Sequence, residues 1–187
     1  MMDCRALEIE EVKILKPRRF GDRRGFFEQV HHEREYAEFG IRERFVQLNW
    51  SRSTRHVLRG LHYQLDRPQA KLITVTRGEI FDVAVDIRRG SPTFGRWAAA
   101  FLSDCDGQQL YVPTGFAHGF LVLSEGADII YHCSSFYDPD DEQSIRWDDP
   151  DLGIDWPLEG IDPIVSDRDA ANPFLADKEE PLLPVFA

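Results

Sequence analysis

The chain has 187 residues and a formal net charge of -11. That length suits one domain with a core of real size, and that charge argues against a general nucleic-acid surface, which needs a basic face. Three cysteines, Cys4, Cys105 and Cys133, fit no zinc spacing and read as reduced cytosolic thiols; the first residues lack the apolar stretch of a signal peptide, and no apolar run is long enough to span a bilayer as a helix.

In chain order, short strand-like runs dominate. Phe26 to His31, Phe45 to Ser51, Val57 to Gln64, Lys71 to Arg77 and Glu79 to Ile87 come first. Trp97 to Leu102, Gln109 to Val112, His118 to Leu123 and Asp128 to Ser134 follow. Turn residues separate many of them, and Arg77-Gly78 reads as a hairpin turn between two strands. From Phe81 to Ile87 the alternation has period two, one side apolar and the other small or acidic. One short helix is expected near Glu33 to Phe39, stopped by Gly40 as its C′ residue. The pattern decays after Asp148, where prolines recur. The expectation is an all-β sandwich or barrel, with few short helices and an irregular tail that wraps over it. A single domain spans residues 1–187, its core at 12–150 and its tail at 151–187.

Three polar segments interrupt the apolar pattern: Arg55 to Gln64, Gln69 to Leu72, and Pro113 to Phe120. A lone strand histidine is more often a hydrogen-bonded core residue than a catalyst. Repeated Arg, Lys and His among apolar strands instead suit an anionic ligand held between them. A His-x-His metal pair is missing at both His62 and His118, so the ligand set for a metal is incomplete. Gly-x-Ser-x-Gly and the nucleotide-binding glycine fingerprints are missing too.

Several strings, collinear from about Val12 to Asp169, together resemble the dTDP-4-dehydrorhamnose 3,5-epimerase family. They are Phe20 to Phe27, Arg59-Gly60-Leu61-His62-Tyr63-Gln64, Lys71-Leu72, Gly78 to Asp86, and Pro113 to Phe120. The resemblance implies a cupin jelly roll, a cytoplasmic homodimer, no cofactor, and a dTDP-linked 4-keto-6-deoxy sugar as substrate. The family inverts C3 and C5 of that sugar.

The chemistry makes sense of the residues. C3 and C5 flank a ketone, which acidifies their hydrogens. Inversion needs a base on one face, an acid on the other, and stabilisation of the enolate oxygen. By resemblance His62 is the base, Asp169 its orienting carboxylate, Lys71 the cation near the enolate oxygen and Tyr131 the acid. Arg24 and Arg59 resemble pyrophosphate ligands, for which a guanidinium fork is well matched. Gln47 and Asn49 suit the deoxythymidine portion, and Tyr137 resembles the residue that stacks on thymine. His118 and Glu142 match further positions of the family's site.

One feature conflicts with plain strand alternation, and two depart from the family pattern. Strict alternation puts Arg59 and His62 on opposite faces of one strand, and a bulge at Gly60 is expected to reconcile them. Gln29 stands where the family usually has Glu, and Glu28 precedes it. Arg168 stands where the family has lysine. These departures lie around the substrate. They leave epimerase chemistry intact and leave open a relative that inverts a single carbon, or that acts on another dTDP-4-keto sugar; a sugar-nucleotide-binding cupin without activity is the alternative of a different class, against which the set His62, Lys71, Tyr131 and Asp169 argues.

Overall fold

The computed structural model describes residues 2–186. Thirteen strands and two short helices follow in order: β1 (Asp3–Ala6), β2 (Lys13–Lys16), β3 (Arg19–Asp22), β4 (Gly25–Glu28), α1 (Glu33–Glu38), β5 (Gln47–Thr54), β6 (Leu58–Gln64) and β7 (Lys71–Arg77). Then come β8 (Glu79–Asp86), β9 (Trp97–Ser103), β10 (Gln109–Val112), β11 (Phe116–Val122), β12 (Gly126–Cys133), β13 (Glu142–Ser144) and α2 (Asp167–Ala170). One sheet runs β1-β2-β10-β7-β12-β5, the facing sheet runs β13-β6-β11-β8-β9, and β3 and β4 form a separate hairpin. The expected all-β sandwich is the fold, and the helix near Glu33 ends before Gly40, whose φ of 83° suits glycine.

Arg77-Gly78 is not a hairpin turn. β7 and β8 belong to opposite sheets, so the chain crosses between them there. Gly78 has φ 81°, and a Cβ on it would stand 2.2 Å from the Gly126 carbonyl oxygen. The corner therefore needs glycine for a reason that strand alternation does not reveal. Strands β1, β2, β3 and β13 and helix α2 carry no strong local pattern; each is three or four residues long and takes its structure from pairing or packing.

Between the sheets lies a core of Ile73, Val75, Ile80, Leu102, Leu110, Phe120, Val122 and Ile129, among others. The apolar side of β8, with Phe81, Val83 and Val85, faces outward, yet is buried. It packs with Leu58, Leu61 and Leu121 under Leu152, Trp156, Leu175 and Leu183 of the C-terminal segment. Two isolated parallel bridges, Val57 with Ile164 and Arg89 with Val185, pin that segment to the sandwich. The small and acidic side of β8 faces the space between the sheets, where Ala84 joins the core.

The inter-sheet core is apolar at one end and polar at the other. On β12, Ala127 and Ile129 are core residues, and Tyr131 and Cys133 come next on the same face. On β7, Val75 and Ile73 lead to Lys71 in the same way. On β11, Val122 and Phe120 lead to His118. The polar residues thus gather at one end of the sandwich, where a cleft opens.

Candidate active site

Strand β6 presents Arg59 and His62 to this end of the sandwich. In its pairing with β11, His62 stands opposite His118 and Arg59 opposite Phe120. Three residues of β6 therefore span two of β11, and Gly60 is the extra one. The bulge expected at Gly60 is present, with φ 120°; a Cβ there would lie 2.6 Å from the Gly119 Cα and 2.7 Å from the His118 carbonyl oxygen.

His62 Nε2 lies 2.7 Å from Asp169 Oδ1. Asp169 also accepts from the Gly60 amide at 3.3 Å, and its own amide donates to Ser166 Oγ at 3.1 Å as α2 begins. Burial alone would raise the Asp169 carboxyl. Hydrogen bonds with His62, Gly60 and Ser166 outweigh it and hold the group below the ordinary aspartate value. An ionised carboxylate can only accept, so Nε2 of neutral His62 carries the ring hydrogen and Nδ1 is left free to take a proton.

The facing sheet supplies Tyr131 from β12, whose hydroxyl pairs with Ser51 Oγ on β5 at 2.9 Å. Burial pushes the Tyr131 hydroxyl far above its ordinary value, so it stays protonated at neutral pH. Lys71 opens β7 beside Cys133 of β12. Burial lowers its ammonium, and the neighbouring Cys133, Glu142 and Asp82 act in the opposite direction. His118 is hydrogen-bonded through Nε2 to the fully buried Asp82 of β8, and its ring centroid is 6.3 Å from that of Tyr131.

The cleft itself, about 460 Å³, is lined by Arg59, His62, Tyr137, Glu142, Arg168 and Asp169, with Val57 and Ile164 among its apolar walls. At its mouth Arg168 is ion-paired with Glu142, which also accepts from the Tyr137 hydroxyl at 3.2 Å. Gln47 Oε1 accepts from the Tyr137 amide at 2.8 Å, and its Nε2 donates to Asn49 at 2.9 Å. Arg59 donates to Ser53 at 3.1 Å. A larger cavity, about 630 Å³, lies under the tail between Arg89, Phe94, Leu175 and Leu183, away from the acid–base set. Among the described residues no three His, Cys, Asp or Glu side chains are grouped to hold a metal.

Lys71, Tyr131 and His118 lie deeper between the sheets than this lining, Gln47 and Asn49 adjoin it through Tyr137, and Arg24 and Gln29 stand apart from it. Arg24 sits on the β3–β4 hairpin, ion-paired with Asp22 and exposed. Gln29 is exposed just beyond that hairpin. Glu28 turns away, its side chain nearly buried against Arg19 at 2.9 Å. Conversely, Ser51 and Asp82 belong to the site but were not singled out by their motifs. For Asp82 the signal was an acid inside a clean strand alternation; a serine two residues after Asn49 carries none.

Comparison with known proteins gives the family. The sequence model of the family described as dTDP-4-dehydrorhamnose 3,5-epimerase matches residues 6–177. A dTDP-4-dehydrorhamnose 3,5-epimerase of Pseudomonas aeruginosa is 49% identical over 179 residues, covering 95% of this chain and 98% of that one. A crystal structure of a dTDP-6-deoxy-D-glucose-3,5-epimerase from Legionella pneumophila Philadelphia 1, in complex with dTDP-4-keto-L-rhamnose, superposes with a TM-score of 0.97. It is 49% identical, with all of both chains covered. A 3′-monoepimerase of Streptomyces bikiniensis in complex with dTDP-quinovose superposes with a TM-score of 0.88 at 39% identity, covering 96% of this chain and 92% of that one. With matching strings, fold and length of match, the chain belongs to the dTDP-4-dehydrorhamnose 3,5-epimerase family.

Proposed function

We propose that the protein inverts C3 and C5 of dTDP-4-dehydro-6-deoxy-D-glucose, giving dTDP-4-dehydro-L-rhamnose, without a cofactor. The observation that carries this reading is the placement of His62 on one sheet and Tyr131 on the sheet facing it. A sugar ring between them has a base at one face and an acid at the other.

In this mechanism His62 Nδ1 takes the hydrogen beside the C4 ketone, and the electron pair moves onto the ketone oxygen. Asp169 favours the imidazolium that forms. Lys71 stabilises the enolate oxygen, an effect worth several kcal/mol when preorganised, on the order of 3. Tyr131 then delivers a proton to the opposite face. Arg59 serves the pyrophosphate, Tyr137 stacks on thymine with Gln47 and Asn49 beside it, and His118, Glu142 and Arg168 line the rest of the site. Incubation with the 4-keto substrate in deuterated water tests the reading. Deuterium at both C3 and C5, with both centres inverted, is the expected NMR result.

A second reading is inversion at one carbon. The likeness to a 3′-monoepimerase and the presence of Gln29 favour keeping it. Deuterium and inversion confined to one centre would select it.

We further propose a cytoplasmic homodimer. On the outer side of edge strand β5, Leu48 and Trp50 are exposed, as are Phe20, Phe26 and Phe27 of the β3–β4 hairpin. An unpaired edge and apolar surface of this kind suit a second copy. A hairpin that crosses to the partner subunit also gives Arg24 a route to a pyrophosphate. Sedimentation of the protein as a monomer at micromolar concentration would defeat this proposal.

A further inference from the structure

Asp82 has no part in the mechanism above, yet it is placed where it must affect it. It lies on the inner face of β8 between Ile80 and Ala84, with no exposure to solvent. Its Oδ1 is bonded to His118 Nε2, and its Oδ2 has no hydrogen-bond partner. A buried carboxylate with one oxygen unsatisfied lowers stability unless something else retains it. Its strand neighbours are apolar core residues, so packing does not ask for it.

The groups around it are those that must hold protons before the reaction. Facing Lys71 are Cys133, Glu142 and Asp82. Facing Tyr131 are Asp82, Arg59 and Cys133, with Ser51 on its hydroxyl. His118, bonded to Asp82, has its ring centroid 6.3 Å from that of Tyr131 and stands opposite His62 in the strand pairing.

We propose that Asp82 is a positioning residue of the epimerisation: it orients His118 between His62 and Tyr131 and adds a buried carboxylate to the polar end of the core, beside the proposed acid and the proposed enolate cation. A carboxylate can only accept from His118, so it fixes Nε2 as the ring's donor. A negative charge favours the protonated form of any neighbour, whether that form is a cation or a neutral phenol. Burial works against the Lys71 ammonium, the group that meets the developing enolate, and Asp82 counters that loss. For Tyr131, burial is the larger cause and Asp82 acts in the same direction.

This inference rests on the roles proposed above for Lys71 and Tyr131. The test is the pH dependence of deuterium exchange into the 4-keto sugar by the parent protein and by Asp82→Asn, which keeps the shape and removes the charge. The alkaline limb of kcat should move to lower pH by about one unit. At pH 7 kcat should fall roughly tenfold or more while the Kd for dTDP changes less than threefold, since the nucleotide is bound elsewhere. Combining Asp82→Asn with His118→Asn should cost less than the product of the single losses, because the two act together. Asp82→Ser, smaller than the amide, replaces the first variant if that one does not pack. A uniform fall in kcat with an unmoved limb overturns the proposal, as does parent-like kinetics. So does a chain that folds with neither replacement, which marks Asp82 as structural. If the parent itself exchanges no deuterium, the proposed function fails first, and the two failures are told apart.

Discussion

His62 Nε2 and Asp169 Oδ1 are 2.7 Å apart, although 107 positions separate them in the chain. The link is made by the C-terminal segment, which folds back over β6 and begins α2 with Ser166 as its cap. His62→Ala should abolish exchange at both C3 and C5, a loss of at least about a hundredfold, as expected for a general base. Asp169→Asn should retain part of the rate, because the amide still fills the place but no longer favours the imidazolium. Calorimetric binding of dTDP should stay close to the parent's in both. Normal exchange in His62→Ala would require another base.

Tyr131→Phe keeps the ring against His118 and Phe120 but removes the hydroxyl that meets Ser51. His62 can still form the enolate, which is then reprotonated from its own side. The variant should wash deuterium into the sugar with retained configuration and lose most inversion, at C5 at least. Inversion at the parent rate would show that another group is the acid.

Tyr137 is half exposed at the cleft mouth, its amide held by Gln47 and its hydroxyl by Glu142. Stacking on a base contributes about 1–3 kcal/mol. Tyr137→Ala should weaken dTDP binding by roughly one to two orders of magnitude, read by titration calorimetry. An unchanged Kd would leave Tyr137 a structural aromatic.

Gly60→Ala puts a Cβ into backbone at 2.6 Å, at a φ of 120°. Without the bulge, Arg59 and His62 return to opposite faces of β6. The variant should lose several kcal/mol of stability, about 3 or more. Any folded fraction should lose epimerisation. A parent-like melting curve would mean that β6 tolerates a side chain there.

Asp86 is fully buried and bonded to Arg88, Ser91 and Thr93. Burial alone would raise its carboxyl; those donors outweigh burial and hold it below the ordinary value. A depressed folded-state value means that the unfolded chain binds the proton first as pH falls. The stability is present above the ordinary aspartate value and is lost as pH drops through the folded one. Urea midpoints should therefore fall as pH drops from about 5 through and below the ordinary aspartate value, and less steeply in Asp86→Asn. The variant should be less stable at pH 7 by about 3 kcal/mol, because Arg88 loses its buried partner. Equal slopes in both proteins would place the acid sensitivity elsewhere.

Much of the sandwich was legible in local pattern. Lys71–Arg77 and Gln109–Val112 are strands over the whole of the runs that their residues indicated, and Gly40 stops α1 as its chemistry requires. His62 and Lys71 stood out because charged groups interrupt apolar strands; Tyr131 was marked only by the resemblance to a family, which gave all three their roles. A tight bulge at Gly60 followed from the need to turn Arg59 and His62 to one side.

Other features depend on what meets in space. Alternation in β8 shows two faces but not which lies between the sheets. The apolar face is buried by Trp156, Leu175 and Leu183, far along the chain, so the acidic one is free to line the site. Arg77-Gly78 has the composition of a hairpin, yet the partners of β7 are β10 and β12, which a turn cannot specify. Arg24 carries the right chemistry for pyrophosphate, but its hairpin packs apart from its own chain's cleft. Ser51 and Asp82 gain their meaning only from Tyr131 and His118, which strand pairing and sheet packing bring against them. Local sequence sets backbone preference and side-chain chemistry; the distance between groups on different strands is decided by which faces can be buried together.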